Sequence, residues 1–400
     1  MSSALQGIRV LDLTNVLAGP FCAYQLALLG AEVVKVEVPG DGDLARQLGA
    51  DPALNAARMG ASFLAQNAGK QSLTLDLKTE RGKDLLRRLV RRFDVLVENF
   101  RPGVMQRLGL SHEALAAENP QLVYCAISGF GQDGPMKGAP AYDQIIQGLS
   151  GMMSITGDAA SAPLRVGYPV ADTLAGMTAA FAISAALVRR LRSGEGGFID
   201  VSMLDSALCS MGWIVSNHLI AGVDPQPHGN DNFTAAPSGA FRAQDGMLNI
   251  AANKQEQFVA LVQALGLPEL ADDPRFALRE DRKRHRAALT ALLEGRLRQR
   301  PCAEWEALLS RIGIPAGAVL TVPQALALPQ VQQRALLKTF DAAPGVGRPL
   351  QVARSGFKLS GGDPDVQTPP PRLGEHSEAL LRSIGCSAAE IDQLRQEGVV

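Results

Sequence analysis

Apolar residues follow two alternating periods along the first 130 positions of the chain. "IRVLDLT" (8–14) and "EVVKVEV" (32–38) are short, nearly continuous apolar runs of the kind a buried strand needs. Between them "PFCAYQLALLG" (20–30) reads as a helix opened by Pro20 and closed by Gly30. "SLTLDL" (72–77) alternates like a strand, and "DVLVENF" (94–100) and "LVYCAISGF" (122–130) add two more, each running into a glycine-containing loop. Leu85, Leu86, Leu89, Val90 and Phe93 fall at i, i+1, i+4, i+5 and i+8, which is one face of a helix. Strand and helix in regular alternation predict an α/β fold. Its large domain would be Rossmann-like, with an open, mostly parallel sheet, helices on both faces and ligands bound beyond the carboxyl ends of the strands.

The pattern continues with a helix rich in alanine from Thr173 to Arg192 and a strand followed by a helix over 197–211, and then it breaks. Residues 222–245, "GVDPQPHGNDNFTAAPSGAFRAQD", are rich in Gly, Pro, Asn and Asp, the composition of a linker or mobile loop. Residues 246–330 alternate short strands with charged helices, as in a smaller α+β domain. "AAPGVGRPL" (342–350) and "DPDVQTPPPRLGEH" (363–376) then lead the chain away from it. The expected organisation is a large domain over 1–211 and a linker with an active-site loop over 212–245. A small domain follows over 246–330, and a return linker over 331–400 ends in helices that pack on the large domain.

Composition narrows the function. With 46% hydrophobic and 20% charged residues and a net charge of −1, the chain has no electrostatic footprint for nucleic acid or an anionic membrane. Its start lacks a basic region followed by an apolar core, and its longest uncharged apolar stretch, Thr173 to Val188, reads as too short to span a bilayer, so a cytoplasmic protein is expected. Five cysteines and five histidines are scattered singly, without CxxC or HxxxH spacing. Neither a disulfide framework nor a metal site is expected.

Three features bear on chemistry. Glu37 ends the second strand where an acidic residue would hold a ribose hydroxyl, but the turn after the first strand reads "NVLAGPFCA" and lacks the GxGxxG that a dinucleotide pyrophosphate needs. Basic residues near predicted strand ends, Lys78, Arg101 and Arg107, would clamp a polyphosphate, whereas the cations of "RFALREDRKRHR" (275–286) read as a solvated helix face. Asp172, in "VGYPVADTLAG" (166–176), stands at the start of the alanine-rich helix. It reads as that helix's N-cap, and equally as an ionised carboxylate available to attack an electrophile.

The stretches "VLDLTNVLAGPFCAYQLALLGAEVVKVEVPGDGD", "LDLKTERGKDLLRRLVRRFDVLVENFRPGVMQRLGL", "ISGFGQDGP" and "YPVADTLAG", in that order, resemble the class III coenzyme A transferases, the CaiB/BaiF family. The resemblance covers most of the first 210 residues. It implies transfer of coenzyme A from an acyl-CoA thioester to a carboxylic acid, with a small dicarboxylate expected. It also implies a homodimer of two interlocked subunits, each a Rossmann-like domain with a smaller one. By similarity Asp172 matches the aspartate that becomes acylated. Val16, Leu17 and Ala18, then Leu75, Asp76, Leu77 and Lys78, then Asn99, Phe100, Arg101 and Arg107, and the loop Ala139, Pro140, Ala141 and Tyr142 match segments that hold coenzyme A. The thioester is a substrate, and no permanently bound cofactor is implied.

The chain departs from the formyl-CoA branch of that family. Leu17 replaces a glutamine, Val38 replaces an arginine, and no four-glycine loop appears near 229–239, which argues against formate and oxalate as substrates. The loop "HGNDNFTAAPSG" occupies the equivalent region and is expected to shape the acid pocket. The alternative within the same superfamily, an α-methylacyl-CoA racemase or epimerase, needs an acid/base pair. Racemase relatives carry a histidine before the aspartate of "AYDQIIQGLSG", where this chain has Tyr142. A silent CoA-binding scaffold is a third reading.

Overall fold

A computed structural model describes residues 3–400. The chain divides into two compact units, the larger comprising residues up to Met152 with Val166–Gly222 and Arg334–Val400, the smaller Met153–Arg165 with Val223–Gln333.

In the larger unit six strands, β1 (Arg9–Asp12), β2 (Glu32–Glu37), β3 (Lys70–Thr74), β4 (Val95–Glu98), β5 (Val123–Ser128) and β6 (Gly197–Ser202), form one sheet in the order β3-β2-β1-β4-β5-β6. Every neighbouring pair is parallel. A parallel sheet is covered on both faces at its centre, which is why β4 and β5 read as largely apolar runs; all six residues of β5 are buried, whereas the edge strand β6 buries only Val201 and Ser202. Successive side chains take opposite faces. Val10, Val33 and Val97 pack with the helices Ala18–Leu28 and Val170–Ser193, while Leu11, Val34 and Leu96 pack with Glu80–Val90 and the C-terminal helices Ser377–Ser383 and Ala388–Gln396. The strand order reverses between β1 and β4, and that reversal opens a crevice at the carboxyl ends of the strands.

Two elements differ from the sequence expectation. Gly212–Ala221 is a helix rather than linker, and Ser238–Arg242 is strand β7, paired antiparallel to β8 (Met247–Ala251), which pairs with β9 (Ala316–Ala318). Helices including Gln255–Ala264, Arg286–Leu297 and Cys302–Arg311 close a core around Phe258, Leu293 and Trp305 beside this small sheet. A last antiparallel pair, β10 (Leu337–Phe340) and β11 (Leu350–Ala353), belongs to the larger unit, where the Tyr24 hydroxyl donates to the Ala353 carbonyl at 2.9 Å.

Among the described residues one helix, Val170–Ser193, is long and apolar enough by length and composition to cross a bilayer, which corrects the reading of that stretch as too short. In this fold it is a core helix: Ala175, Gly176, Ala179, Ile183 and Leu187 are buried against the sheet and the helix Ala18–Leu28.

The strands also bury charge. Lys35 forms an ion pair with Asp43 at 2.9 Å and donates to the Thr14 carbonyl at 2.7 Å, while Lys70 pairs with Asp12 at 2.8 Å. Glu37 accepts two bonds from Arg46, at 2.6 and 2.8 Å, and one from the Ser72 hydroxyl at 2.7 Å. Its carboxylate is thus committed inside the protein, which removes the ribose-binding reading of this residue.

Candidate active site

A cavity of about 230 Å³ occupies the crevice where the strand order reverses. Its walls are the loop after β1 (Asn15, Val16, Leu17, Ala18), the loop after β4 (Asn99, Phe100, Arg101, Pro102), the end of β5 with Gly129, and Lys137, Ala139, Ala141, Tyr142, Asp172 and Met203. Residues far apart in sequence converge here because each follows the carboxyl end of a neighbouring strand.

The first two loops are locked to each other. The Asn15 amide donates to Asn99 Oδ1 and Asn99 Nδ2 donates back to the Asn15 carbonyl, both at 2.8 Å. Val16 takes φ 68°, a left-handed conformation rarely open to a β-branched residue, and its N–H donates to Asp43 Oδ1 at 2.9 Å. The ion pair between Lys35 and Asp43 therefore reaches the cavity wall through one hydrogen bond.

Asp172 lies in the first turn of the helix Val170–Ser193, two residues after its first position. The N-cap is Pro169, which has no side-chain acceptor, so Asp172 is not the cap that its sequence position had indicated. Four residues on, Gly176 faces the same way, and a Cβ there would stand 2.5 Å from the Ala18 carbonyl oxygen. The absent side chain lets this helix approach the chain at Ala18, which brings Asp172 to the wall formed by Leu17 and Ala18. Burial, with the negative charge of Asp143 adding to it, pushes Asp172 up to about 7. This corrects the expectation that the helix N-terminus keeps the group fully ionised at neutral pH: desolvation and a like charge outweigh it.

Of the residues matched to coenzyme A segments, Val16, Leu17, Ala18, Asn99, Phe100, Arg101, Ala139, Ala141 and Tyr142 share the cavity with Asp172. Leu75, Asp76, Leu77, Lys78, Arg107 and Pro140 are not among its lining residues. Leu75 is buried in the core, Leu77 packs at that core's edge, and Asp76 accepts the Lys78 N–H in the turn after β3, two strands from β1. Pro140 is exposed between Ala139 and Ala141. Arg107 is exposed and ends the short helix Val104–Arg107, whose Met105 and Gln106 line a second cavity of about 340 Å³. Arg101, Pro102 and Lys137 line both cavities, so the two adjoin.

Sequence reading missed Lys137, Asp43 and the pair Asp143 and Gln147. The last two stand at i and i+4 in "AYDQIIQGLSG", a spacing that puts two polar side chains on one helix face. Among the described residues no three His, Cys, Asp or Glu side chains are grouped as metal ligands.

The model of CoA-transferase family III matches residues 5–377. The acetyl-CoA:oxalate CoA-transferase of Acetobacter aceti is 39% identical over 385 residues, covering 96% of each chain. The succinyl-CoA:glutarate CoA-transferase of Mus musculus is 36% identical over an alignment of 401 residues, gaps included, that covers 99% of this chain and 90% of that one. A CaiB/BaiF family protein from Brucella suis, solved by crystallography, superposes with a TM-score of 0.85 at 37% identity, covering 96% of this chain and 100% of that one.

Proposed function

This chain belongs to CoA-transferase family III, and on that premise we propose that it moves coenzyme A between small dicarboxylic acids with Asp172 as the residue that is acylated. The observation that carries the reading is the position of Asp172, a half-buried carboxylate on the wall of a cavity that also gathers nine of the residues matched to coenzyme A segments. In the first step an Asp172 oxygen attacks the thioester carbonyl carbon, the C–S bond breaks, and the CoA thiolate leaves. The thiolate then attacks the aspartyl carbonyl of the mixed anhydride, expelling the donor acid as its carboxylate and leaving an aspartyl thioester. The acceptor carboxylate reverses both steps and restores Asp172. The anhydride leaves the aspartyl carbonyl activated toward the returning thiolate, and the aspartyl thioester keeps it activated toward the acceptor carboxylate, which a serine ester would not.

Dicarboxylates are proposed because oxalate and glutarate stand in the names of relatives aligned over nearly the whole chain. The exclusion of oxalate drawn from Leu17 and Val38 is therefore not kept. The test is a panel of acids (oxalate, succinate, glutarate, mesaconate) against acetyl-CoA and succinyl-CoA, followed by chromatography of the thioesters. New CoA esters of the added acids are expected. In the same reactions run in deuterated water, the α-hydrogens of a 2-methylacyl-CoA should exchange no faster with enzyme than without. Rapid exchange in the absence of transfer would assign the racemase activity instead.

The acting species is proposed to be a homodimer of interlocked subunits. The helix Gly212–Ala221 buries no residue although it carries Leu219 and Ile220, 75% and 85% exposed, and the core helix Val170–Ser193 turns Phe181 and Leu191 outward. Apolar side chains presented this way are covered by a partner in a soluble assembly. Threaded subunits separate only by unfolding, so sedimentation at nanomolar concentration should show a dimer. A compact 42.3 kDa species there would refute it.

A further inference from the structure

The first turn of a helix leaves backbone N–H groups without intrahelical partners, and an N-cap side chain ordinarily accepts from them. Pro169 offers none to the helix that carries Asp172. The acceptor comes from a different helix. Asp143, the first residue of Asp143–Leu149 and only 7% exposed, accepts through Oδ1 from the Ala171 N–H at 2.8 Å and the Asp172 N–H at 3.3 Å. Its Oδ2 accepts from Gln147 Nε2 at 2.7 Å. Gln147, fully buried, donates also to the Tyr168 carbonyl at 3.3 Å and accepts the Val166 N–H at 2.9 Å. One carboxylate and one amide, a turn apart, thus hold both the segment entering the helix and the backbone of Asp172 itself.

We propose that Asp143 is the positioning residue of the transfer reaction: with Gln147 it fixes the backbone of Asp172, and it places a negative charge beside the carboxylate that attacks the thioester. The inference rests on Asp172 being the acylated residue. Two functions meet in this one side chain. Anchoring the backbone aims the Asp172 carboxylate into the cavity without occupying its oxygens, which stay available to the substrate. Burial, with the like charge of Asp143 adding to it, favours the protonated form of Asp172 until pH rises to about 7, so the ionised form is more basic than an ordinary aspartate and a better nucleophile at neutral pH. The other charged or titratable side chains lining the cavity with Asp172 are Arg101, Lys137 and Tyr142, and the substitutions below leave all three in place.

The experiment separates aim from charge. Asp143→Asn keeps an oxygen for the Ala171 and Asp172 N–H groups and removes the charge; it also turns an amide NH2 toward Gln147 Nε2, a lost bond that Gln147→Leu shares with the charge kept. The acid limb of kcat/KM for the acyl-CoA donor should move down by about one pH unit, and Asp143→Glu should restore it. Gln147→Leu keeps the charge and unties the loop. It should lower kcat by about 10- to 100-fold, with the acid limb in place and KM for the donor within about twofold of wild type. A purely structural role would lower the yield of folded enzyme without moving the limb. The proposal is overturned if the limb of folded Asp143→Asn coincides with that of wild type, or if Gln147→Leu retains wild-type kcat. Hydroxylamine trapping on Asp143→Asn keeps the two readings apart: a hydroxamate on residue 172 upholds the nucleophile while the pH profile judges Asp143, and a label elsewhere refutes the nucleophile itself.

Discussion

Asp172→Asn should abolish CoA transfer, by at least about 10⁴-fold on the scale of removing a covalent nucleophile, and should leave acyl-CoA binding intact. The amide matches the carboxylate in shape but is a poor nucleophile. Because Asp172 is not the N-cap of its helix, the substitution removes no capping bond, and the N–H groups of Ala171 and Asp172 keep Asp143 as their acceptor. Stability should even rise above neutral pH. The carboxyl group titrates near 7 in the folded chain against 3.8 for an ordinary aspartate, so the unfolded chain ionises it first, and folding loses stability as pH climbs from about 4 to 7. Asparagine avoids that loss. Thermal unfolding should give the variant and the wild type similar midpoints near pH 4 and the variant a higher one at pH 8. Hydroxylamine added during wild-type turnover should place a hydroxamate on residue 172. Wild-type transfer by Asp172→Asn, or a label on another residue, would refute the mechanism.

The contrast between Asp172 and its supports shows which parts of this molecule were legible in the sequence. The central strands were readable because a parallel sheet covered on both faces demands nearly continuous apolar runs such as "VYCAIS", while β3 showed itself by alternation. Asp172 stood out through the resemblance carried by "YPVADTLAG", since its local pattern fitted a helix N-cap as well as a nucleophile. Asp143 did not stand out, since its partner is the backbone of a segment 28 residues away, and backbone N–H groups leave no trace in a residue pattern. Leu75 to Lys78, matched through a shared family segment, follow β3, two places from β1 in the sheet, and do not line the cavity with Asp172; a distance across a sheet is not written in local sequence. The helix Gly212–Ala221 was taken for linker because the Gly/Pro-rich stretch begins just beyond it. The rise of Asp172 toward neutrality was opaque for a similar reason: burial and a like charge from another helix decide it, and neither is a property of "YPVADTLAG".

Lys35→Met should destabilise the larger unit by about 3–5 kcal/mol, the usual cost of breaking a buried ion pair by removing one partner. Its ammonium is fully buried between Asp43, at 2.9 Å, and Asp12, at 3.9 Å, and without it Asp43 keeps a buried negative charge with no cation against it. Burial opposes ionisation of both aspartates. Lys35 outweighs it at Asp43 with the help of the Val16 and Ala45 N–H groups, and at Asp12 with the help of Lys70, so both titrate below 3.8. Lys70 itself is drawn down to about 8 by burial and stays charged at neutral pH. Lowered carboxylate values mean that the network's stabilisation is present above about pH 4 and is lost only as pH falls through those lowered values. The wild-type network's contribution should accordingly be constant between pH 5 and 7, whereas burial without Lys35 raises Asp43, so the destabilisation by Lys35→Met should grow as pH rises. It should also reach the site, because Asp43 holds the Val16 N–H while Lys35 holds the Thr14 carbonyl. With the Thr14 carbonyl released and Asp43 no longer held by its cation, the turn at Val16, whose conformation costs about 1–3 kcal/mol, loosens, and the wall beside Asp172 shifts. Asp43→Asn removes the unpaired charge but keeps an acceptor for Val16, so Lys35→Met combined with Asp43→Asn should be more stable than Lys35→Met alone. Urea unfolding of the four proteins measures this coupling. Strictly additive losses would mean that the two side chains act separately and that the buried pair does not hold the cavity wall.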